Sequence, residues 1–329
     1  MILIITNKED VHPTPVIEIL NKRSTPVFRL NSECLLIDYE FAWWNDSHEC
    51  DFFIKNVHTG LSVKGSEITA IWDRRPERPK DLYISSSDEI NKHNLDEASG
   101  FFSFLRYYLK DVFSIGSIVN DRYAASKMLQ MKIAQDVGFS IPSSCFSNRK
   151  DYIVNFARKY DDLIIKPIES DFVVRDEDFQ HVFYAQKISS NSLPEVPIEA
   201  FNQTVSFVQN YIPKKYEVRV TVVGKKVFAC KIDSQVMDED KGKIDWRQGY
   251  DYNIKYESML LPEIIANKSI DFLKRMGLNF GAFDFVVTPE DQYVFLECNP
   301  NGQWLWIEIK TGQKISEAIA DELEHCIGC

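Results

Sequence analysis

Residues 280–306, FGAFDFVVTPEDQYVFLECNPNGQWLW, leave the backbone few arrangements. Two short runs, 282–288 and 292–298, are rich in apolar and β-forming residues. Pro289, Glu290 and Asp291 between them are turn formers, so the stretch predicts a β-hairpin. Asp284, Glu297 and Asn299 are polar residues that an apolar hairpin does not need. Side chains two apart on a strand share a face, so Glu297 and Asn299 project together, and Asp284 on the partner strand reaches that face. Two carboxylates and an amide oxygen suit a hard cation, and Mg²⁺ is commonly held by one or two carboxylates while nucleotide phosphates complete its shell. The same residues also suit a half-buried hairpin whose charges meet water.

Composition narrows the partners. A net charge of −11 over 329 residues argues against non-specific nucleic-acid binding, which draws on a basic surface. No apolar run approaches the ~18 residues of a membrane span. Residues 1–6 are apolar but give way to charge at Lys8, which reads as a first strand rather than a signal peptide. Seven scattered cysteines, an odd number, fit a reducing cytoplasm better than a disulfide framework. Cys326 and Cys329, beside His325, form a lone Cys-x-x-Cys, a weak metal or redox signal without a second pair.

The length suggests two or three domains. Strands are expected at 1–6, 26–30, 35–43, 51–57 and 68–73, with a helix at 15–22 and a hairpin turn at Asn45, Asp46 and Ser47. Leu95, Ala98, Phe102, Leu105 and Leu109 recur at helical spacing in 90–109. Together these make an N-terminal α/β domain. Arg74, Arg75 and Arg78, set among prolines, suit either a solvated connection or an anion site. Residues 120–138 predict one helix, capped by Asn120 or Asp121 and ended by Gly138, with Ala125, Leu129, Ile133 and Val137 in one apolar column and Lys127 off it. Lys166 closes the apolar run 163–165; it is either an edge-strand guard or a cation with a buried anionic partner. Residues 205–212 form an apolar strand, and Glu217 and Arg219 share a face of the strand at 216–223. A hairpin follows around Gly224. The polar stretch 236–257 is long enough to be a functional loop. Helices are expected at 262–276 and 315–326.

In this order, Lys127, Lys166, Glu217-x-Arg219, Asp245-Trp246-Arg247, Asp284 and Glu297-x-Asn299 resemble the motifs of ATP-grasp ligases. The ending Asn299-Pro300-Asn301-Gly302-Gln303-Trp304 is similar to the microviridin or graspetide ligases, which macrocyclise ribosomal peptides. The resemblance implies an α/β (α+β) ATP-grasp fold with an N-terminal domain at 1–119, a central domain at 120–208 and a C-terminal domain at 209–329. It implies ATP, held by Lys127, Lys166, the strand end at Gln209, Tyr211 and Ile212, and Glu217 at the ribose. It implies two Mg²⁺ ions on Asp284, Glu297 and Asn299, with Arg219 and Arg247 at the reacting phosphate. The partner would be a ribosomal precursor peptide whose leader meets the region 172–201, and such enzymes are often homodimers. The chain departs from the wider family at 169–180, where a glycine-rich phosphate flap is expected and no glycine occurs. Two further readings share the nucleotide residues: a ligase that adds amino acids to a protein end or builds a small peptide, and a nucleotide-binding regulator without turnover.

Overall fold

A computed structural model describes residues 1–81, 87–169, 173–176, 179–182, 184–236, 243–244 and 254–325. The chain opens with β1 (Ile2–Thr6), α1 (Pro13–Lys22) and β2 (Val27–Asn31), a parallel βαβ unit. A short helix, α2 (Leu35–Asp38), leads into an antiparallel sheet of β3 (Tyr39–Asn45), β4 (Cys50–Asn56) and β5 (Ser62–Lys64). β6 (Ala70–Asp73) returns to pair in parallel with β1. After α3 (Asp88–Tyr108), β7 (Ser114–Ile115) extends the sheet to the order β2-β1-β6-β7. All of β1 is buried, as a parallel strand covered on both faces should be. The strand expected at 35–43 is shorter. Leu35 enters the core and Asp38 is tied to Lys8 and His58 at 2.9 and 3.0 Å, so tertiary contacts hold the first four residues helical.

The helix expected from 120 to 138 is two helices, α4 (Ile118–Ala125) and α5 (Lys127–Asp136). They part at Ser126, whose backbone is extended at φ −65° and ψ 108°. The cap of α4 is Ser117, whose hydroxyl accepts from the Asn120 amide, so neither Asn120 nor Asp121 is the cap. The break also moves the apolar face: Ala124 is buried and Ala125 is exposed. Gly138, at φ +83°, follows α5 in the left-handed conformation that ends helices.

β8 (Ser144–Ser147), α6 (Lys150–Ala157) and β9 (Asp162–Ile165) begin the central unit. In the glycine-free region, β10 (Val173–Asp176) pairs antiparallel with β11 (Phe179–Val182); the Arg175 side chain lies outside what is described. β12 (Gln186–Ser189), α7 (Ile198–Asn202) and β13 (Ser206–Asn210) complete an antiparallel sheet of order β12-β9-β13-β8. Its core is small: Ile153, Ala157, Leu163, Leu193, Phe201 and Val208.

β14 (Tyr216–Val223), β15 (Lys226–Ile232) and β16 (Tyr256–Met259) precede α8 (Glu263–Met276), and then come β17 (Phe280–Val287) and β18 (Tyr293–Asn299). The five strands run in the order β16-β15-β14-β17-β18. The tight turn at Gly224, φ +56°, is where the sequence predicts it. α9 (Leu305–Thr311), which the sequence reading did not separate, and α10 (Ile315–His325) finish the described chain. One face of this sheet packs on α5 and α8 through Met131, Ala134, Phe272, Phe283, Phe285 and Phe295. Elsewhere Val223, Cys230, Ile232, Trp304 and Ile319 share one core with Ile2, Ile4 and Trp72 of the N-terminal sheet. The boundary expected between 208 and 209 falls inside β13, and α5 packs with the C-terminal sheet. No helix among the described residues is long and apolar enough to cross a membrane. Cys326 and Cys329 lie outside the described residues.

Candidate active site

The hairpin of β17 and β18 forms as its sequence requires. Its turn closes with the Asp291 amide on the Thr288 carbonyl at 2.9 Å, and Asp291 takes φ +60°. Asp284 is paired in register with Glu297, and Ala282 with Asn299. Between these pairs and the Phe285–Phe295 pair the register shifts, and Leu296 is the extra residue of a β-bulge. The bulge resets the alternation. Phe295 and Cys298, three apart, both enter the core, while Glu297 and Asn299 take the opposite face with Asp284.

Basic groups meet these acids from both sides. Arg219, opposite Asp284 on β14, places Nη1 2.6 Å from Asp284 Oδ2. Lys127, the first residue of α5, has Nζ 4.0 Å from Glu297 Oε2 and donates to the Pro167 carbonyl at 2.8 Å. That carbonyl follows Lys166, whose Nζ lies 5.1 Å from the centre of the Phe207 ring. Lys127 therefore joins the exit of β9 to the acid hairpin. Glu217 and Arg219 share a face as expected, but both are buried and neither pairs with the other at the surface. Glu217 binds Lys214 Nζ at 2.5 Å and accepts from Ser234 Oγ at 2.9 Å. Lys214 was missed by sequence reasoning, although its i, i+3 spacing to Glu217 was visible.

At the end of β13, the Gln209 side chain is buried and donates to Ser144 Oγ at 2.8 Å. The Tyr211 amide donates to the Asp162 carbonyl at 3.0 Å. Among the described residues the Ile212 amide has no hydrogen-bond partner. Arg247, with Asp245 and Trp246, lies outside the described residues.

The loop after β18 is held from the N-terminal side. Arg74 is 1% exposed; its Nη1 donates to the Asn301 carbonyl at 2.5 Å, and Arg75 Nε reaches the same oxygen at 3.3 Å. Arg74 is therefore no solvated loop charge; Arg75 and Arg78 are exposed. Burial lowers Arg74 to about 10, against the pull of Asp10 at 3.5 Å. The Asn301 side chain donates to Asp121 Oδ2 at 2.5 Å. Burial, with Asp73 nearby, pushes the Asp121 carboxyl up to about 7. Gly302 sits so close to Arg219, Ala282 and Asn299 that a side chain there would strike all three. Trp304, fully buried, meets the edge of His12 at 5.2 Å.

The donor set fits a hard cation: every candidate ligand offers oxygen, and Asn299 Nδ2 already lies 3.4 Å from Asp284 Oδ2. Arg219, Asp284, Glu297 and Asn299 thus stand together, and Lys127 ties them to the chain just past Lys166.

No family model matches this sequence, and no curated protein matches it. Solved structures do. A RiPP-associated ATP-grasp ligase of Chryseobacterium gregarium, in complex with ADP and a leader and core peptide, is 27% identical with a TM-score of 0.89, over 100% of this chain and 97% of that one. Macrocyclase MdnC of Microcystis aeruginosa MRC, bound with precursor peptide MdnA, is 24% identical with a TM-score of 0.84, over 98% and 99%. ATP-grasp ligase PsnB, complexed with a phosphomimetic variant of a minimal precursor, Mg and ADP, is 19% identical with a TM-score of 0.75, over 99% and 98%. The fold thus defines the class: this chain has the fold of the ATP-grasp ligases. Within that class it resembles the ligases and macrocyclases of ribosomal peptides along its whole length.

Proposed function

We propose that this chain is an ATP-dependent ligase that activates Asp or Glu side chains of a ribosomal precursor peptide as acyl phosphates and closes ω-ester or ω-amide rings. The observation that carries this reading is the register-matched pair Asp284–Glu297, faced by Arg219 and Lys127, in a chain that follows a peptide-bound ATP-grasp ligase from end to end.

Transfer of a phosphoryl group to a carboxylate needs positioning and charge neutralisation more than covalent help from the protein. Asp284, Glu297 and Asn299 would hold two Mg²⁺ ions, which when bound neutralise the phosphates. Lys127 and Lys166 bind phosphate oxygens from the side of α5 and β9. Glu217 takes the ribose hydroxyls. The strand end at Gln209, Tyr211 and Ile212 takes the adenine edge; the Ile212 amide is the donor there, because the Tyr211 amide is committed to Asp162. Arg219, with Arg247, faces the transferred group. A Thr or Ser hydroxyl or a Lys amine of the same peptide then attacks the acyl carbon and loses its proton, and phosphate leaves. Arg219 stabilises the oxyanion formed on the way. The leader of the peptide binds the central unit within 172–201. The proposed division is 1–119, 120–208 and 209–329, with the first boundary moved before Ile118 and the second past Asn210 so that α4 and β13 stay whole, and the active form is a homodimer.

The test is the intact mass of a precursor peptide, encoded near the gene and bearing Thr, Ser or Lys with Asp or Glu, after incubation with the protein, ATP and Mg²⁺. Loss of one water per ring is expected, and mild base then separates ester from amide. A gain equal to an amino-acid residue, or ATP consumed with the peptide unchanged, overturns the reading.

A further inference from the structure

Gln130 is a buried polar residue to which the proposed chemistry gives no role. It is 2% exposed and lies three residues after Lys127 on α5. Its Nε2 donates to the carbonyl of Cys298 at 2.7 Å and to that of Ala124 at 2.6 Å. Its Oε1 accepts from the Cys298 amide at 2.9 Å. One side-chain amide thus satisfies both backbone groups of the residue between Glu297 and Asn299, as a neighbouring strand would. The third bond takes up a carbonyl from the last turn of α4, where a helix end leaves such groups without an intrahelical partner.

The position of β18 makes this clamp consequential. β18 is the edge strand of its sheet, so its outer backbone groups have no strand beside them. Before the bulge, the edge is held by the Phe295 amide on the Ser140 carbonyl at 2.8 Å. After the bulge, it is held by Gln130. The direct contact between Lys127 and Glu297 is 4.0 Å, too loose to fix their spacing unaided.

We propose that Gln130 is a positioning residue. It fixes the strand segment that bears Glu297 and Asn299 against the helix that bears Lys127, and so sets the spacing between the metal ligands and the phosphate-binding lysine. The inference rests on the reading of Glu297 and Asn299 as metal ligands.

The test measures binding to the full chain by titration calorimetry, with two probes: Mn²⁺ together with AMPPNP, and AMPPNP alone in chelator. Wild type is compared with Gln130→Met, which nearly keeps the volume and removes all three bonds, with Gln130→Glu, and with Glu297→Gln; thermal denaturation of each checks the fold. Outer partners of metal ligands are typically worth 10–100-fold in metal affinity, so Gln130→Met should weaken the Mn²⁺-dependent binding about tenfold and the metal-free binding less than about twofold. Gln130→Glu keeps the bond from the Cys298 amide and forfeits the donated ones, so its loss should be smaller but equally confined to the Mn²⁺-dependent binding. It carries the test if Gln130→Met does not fold. If the Gln130 variants lose both affinities in proportion, or neither, Gln130 only stabilises the core and the proposal is overturned. If Glu297→Gln keeps wild-type Mn²⁺-dependent binding, the metal reading itself fails, and this proposal with it.

Discussion

The two sheets that carry the candidate site residues are held in different ways. The five-stranded sheet has the core of α5 and α8 on one face, and it shares a second core with the N-terminal strands. The central sheet rests on a small core formed with α6, α7 and the turn before α7. The candidate acids and Arg219 stand on the doubly anchored sheet, whereas Lys166 stands at the end of the lightly anchored one. Among the described residues, the candidate acids and Arg219 are thus on the part with the larger buried apolar core, and Lys166 on the part with the smaller one.

This contrast can be broken at several points. The largest effect is expected from Glu297→Gln: ATP-dependent loss of water from the peptide, followed by mass, should slow at least about 100-fold while the fold persists, as for other lost transition-state electrostatics. Near-normal Mg²⁺-dependent turnover would remove the acids from the chemistry. Next, Phe283→Ala should cost about 3–5 kcal/mol and Leu163→Ala about 2–5 kcal/mol, the usual range for emptied core sites. Their signatures should differ. All six tryptophans lie outside residues 140–210. Leu163→Ala should therefore move the circular-dichroism melting transition and leave the tryptophan-fluorescence one in place, whereas Phe283→Ala should move both. Hydrogen exchange sharpens the same point without mutation. Amides of β14 and β17 should exchange at least about tenfold more slowly than those of β9 and β13, in line with their denser burial; equal rates would mean that the two sheets open together.

The smallest expected effect is a pH dependence at the junction behind the loop that follows β18. The Asp121 carboxyl is raised from 3.8 to about 7 by burial beside Asp73, in the presence of Arg106 and the Asn301 amide. A carboxyl raised in the folded state favours the protonated fold, so its contribution is fully present below about pH 4 and is lost as pH rises towards 7. Asp121→Asn, which still accepts from Asn301, should flatten this slope in urea titrations across that window. An unchanged slope would place the titration elsewhere.

Much of this was legible in the sequence, and the exceptions share a cause. The acid hairpin could be read because Pro289–Asp291 is strong turn chemistry between two runs of apolar, β-forming residues. Lys166 was read at the close of an apolar run and does stand just past β9, whereas Lys127 was read inside one long helix and opens the second of two. The break at Ser126 could not be seen, because apolar residues at spacing four run straight through it. Arg74, in a charge run, could be read as a solvated charge or as part of an anion site and is neither in this structure; the carbonyl it binds, that of Asn301, is 227 residues away. Gln130 has no local signal at all, since its partner Cys298 lies 168 residues on and is engaged through its backbone. Periodicity reports on faces, whereas long-range bonds from side chains to the backbone leave no period behind.

The bulge at Leu296 has a bearing on how such a hairpin can evolve. The bulge takes up one extra residue without turning the strand over: Phe295 and Cys298 both stay in the core, and Glu297 and Asn299 stay on the face of Asp284. Were the same residues paired without a bulge, Leu296 would stand opposite Asp284, and Glu297 and Asn299 would turn towards Phe283. Loss of the Leu296 codon, by contrast, would leave Phe295, Glu297, Cys298 and Asn299 in unbroken alternation with the partners they have now. Two relatives whose hairpins differ by that codon would align with a gap at 296 and still present the same face.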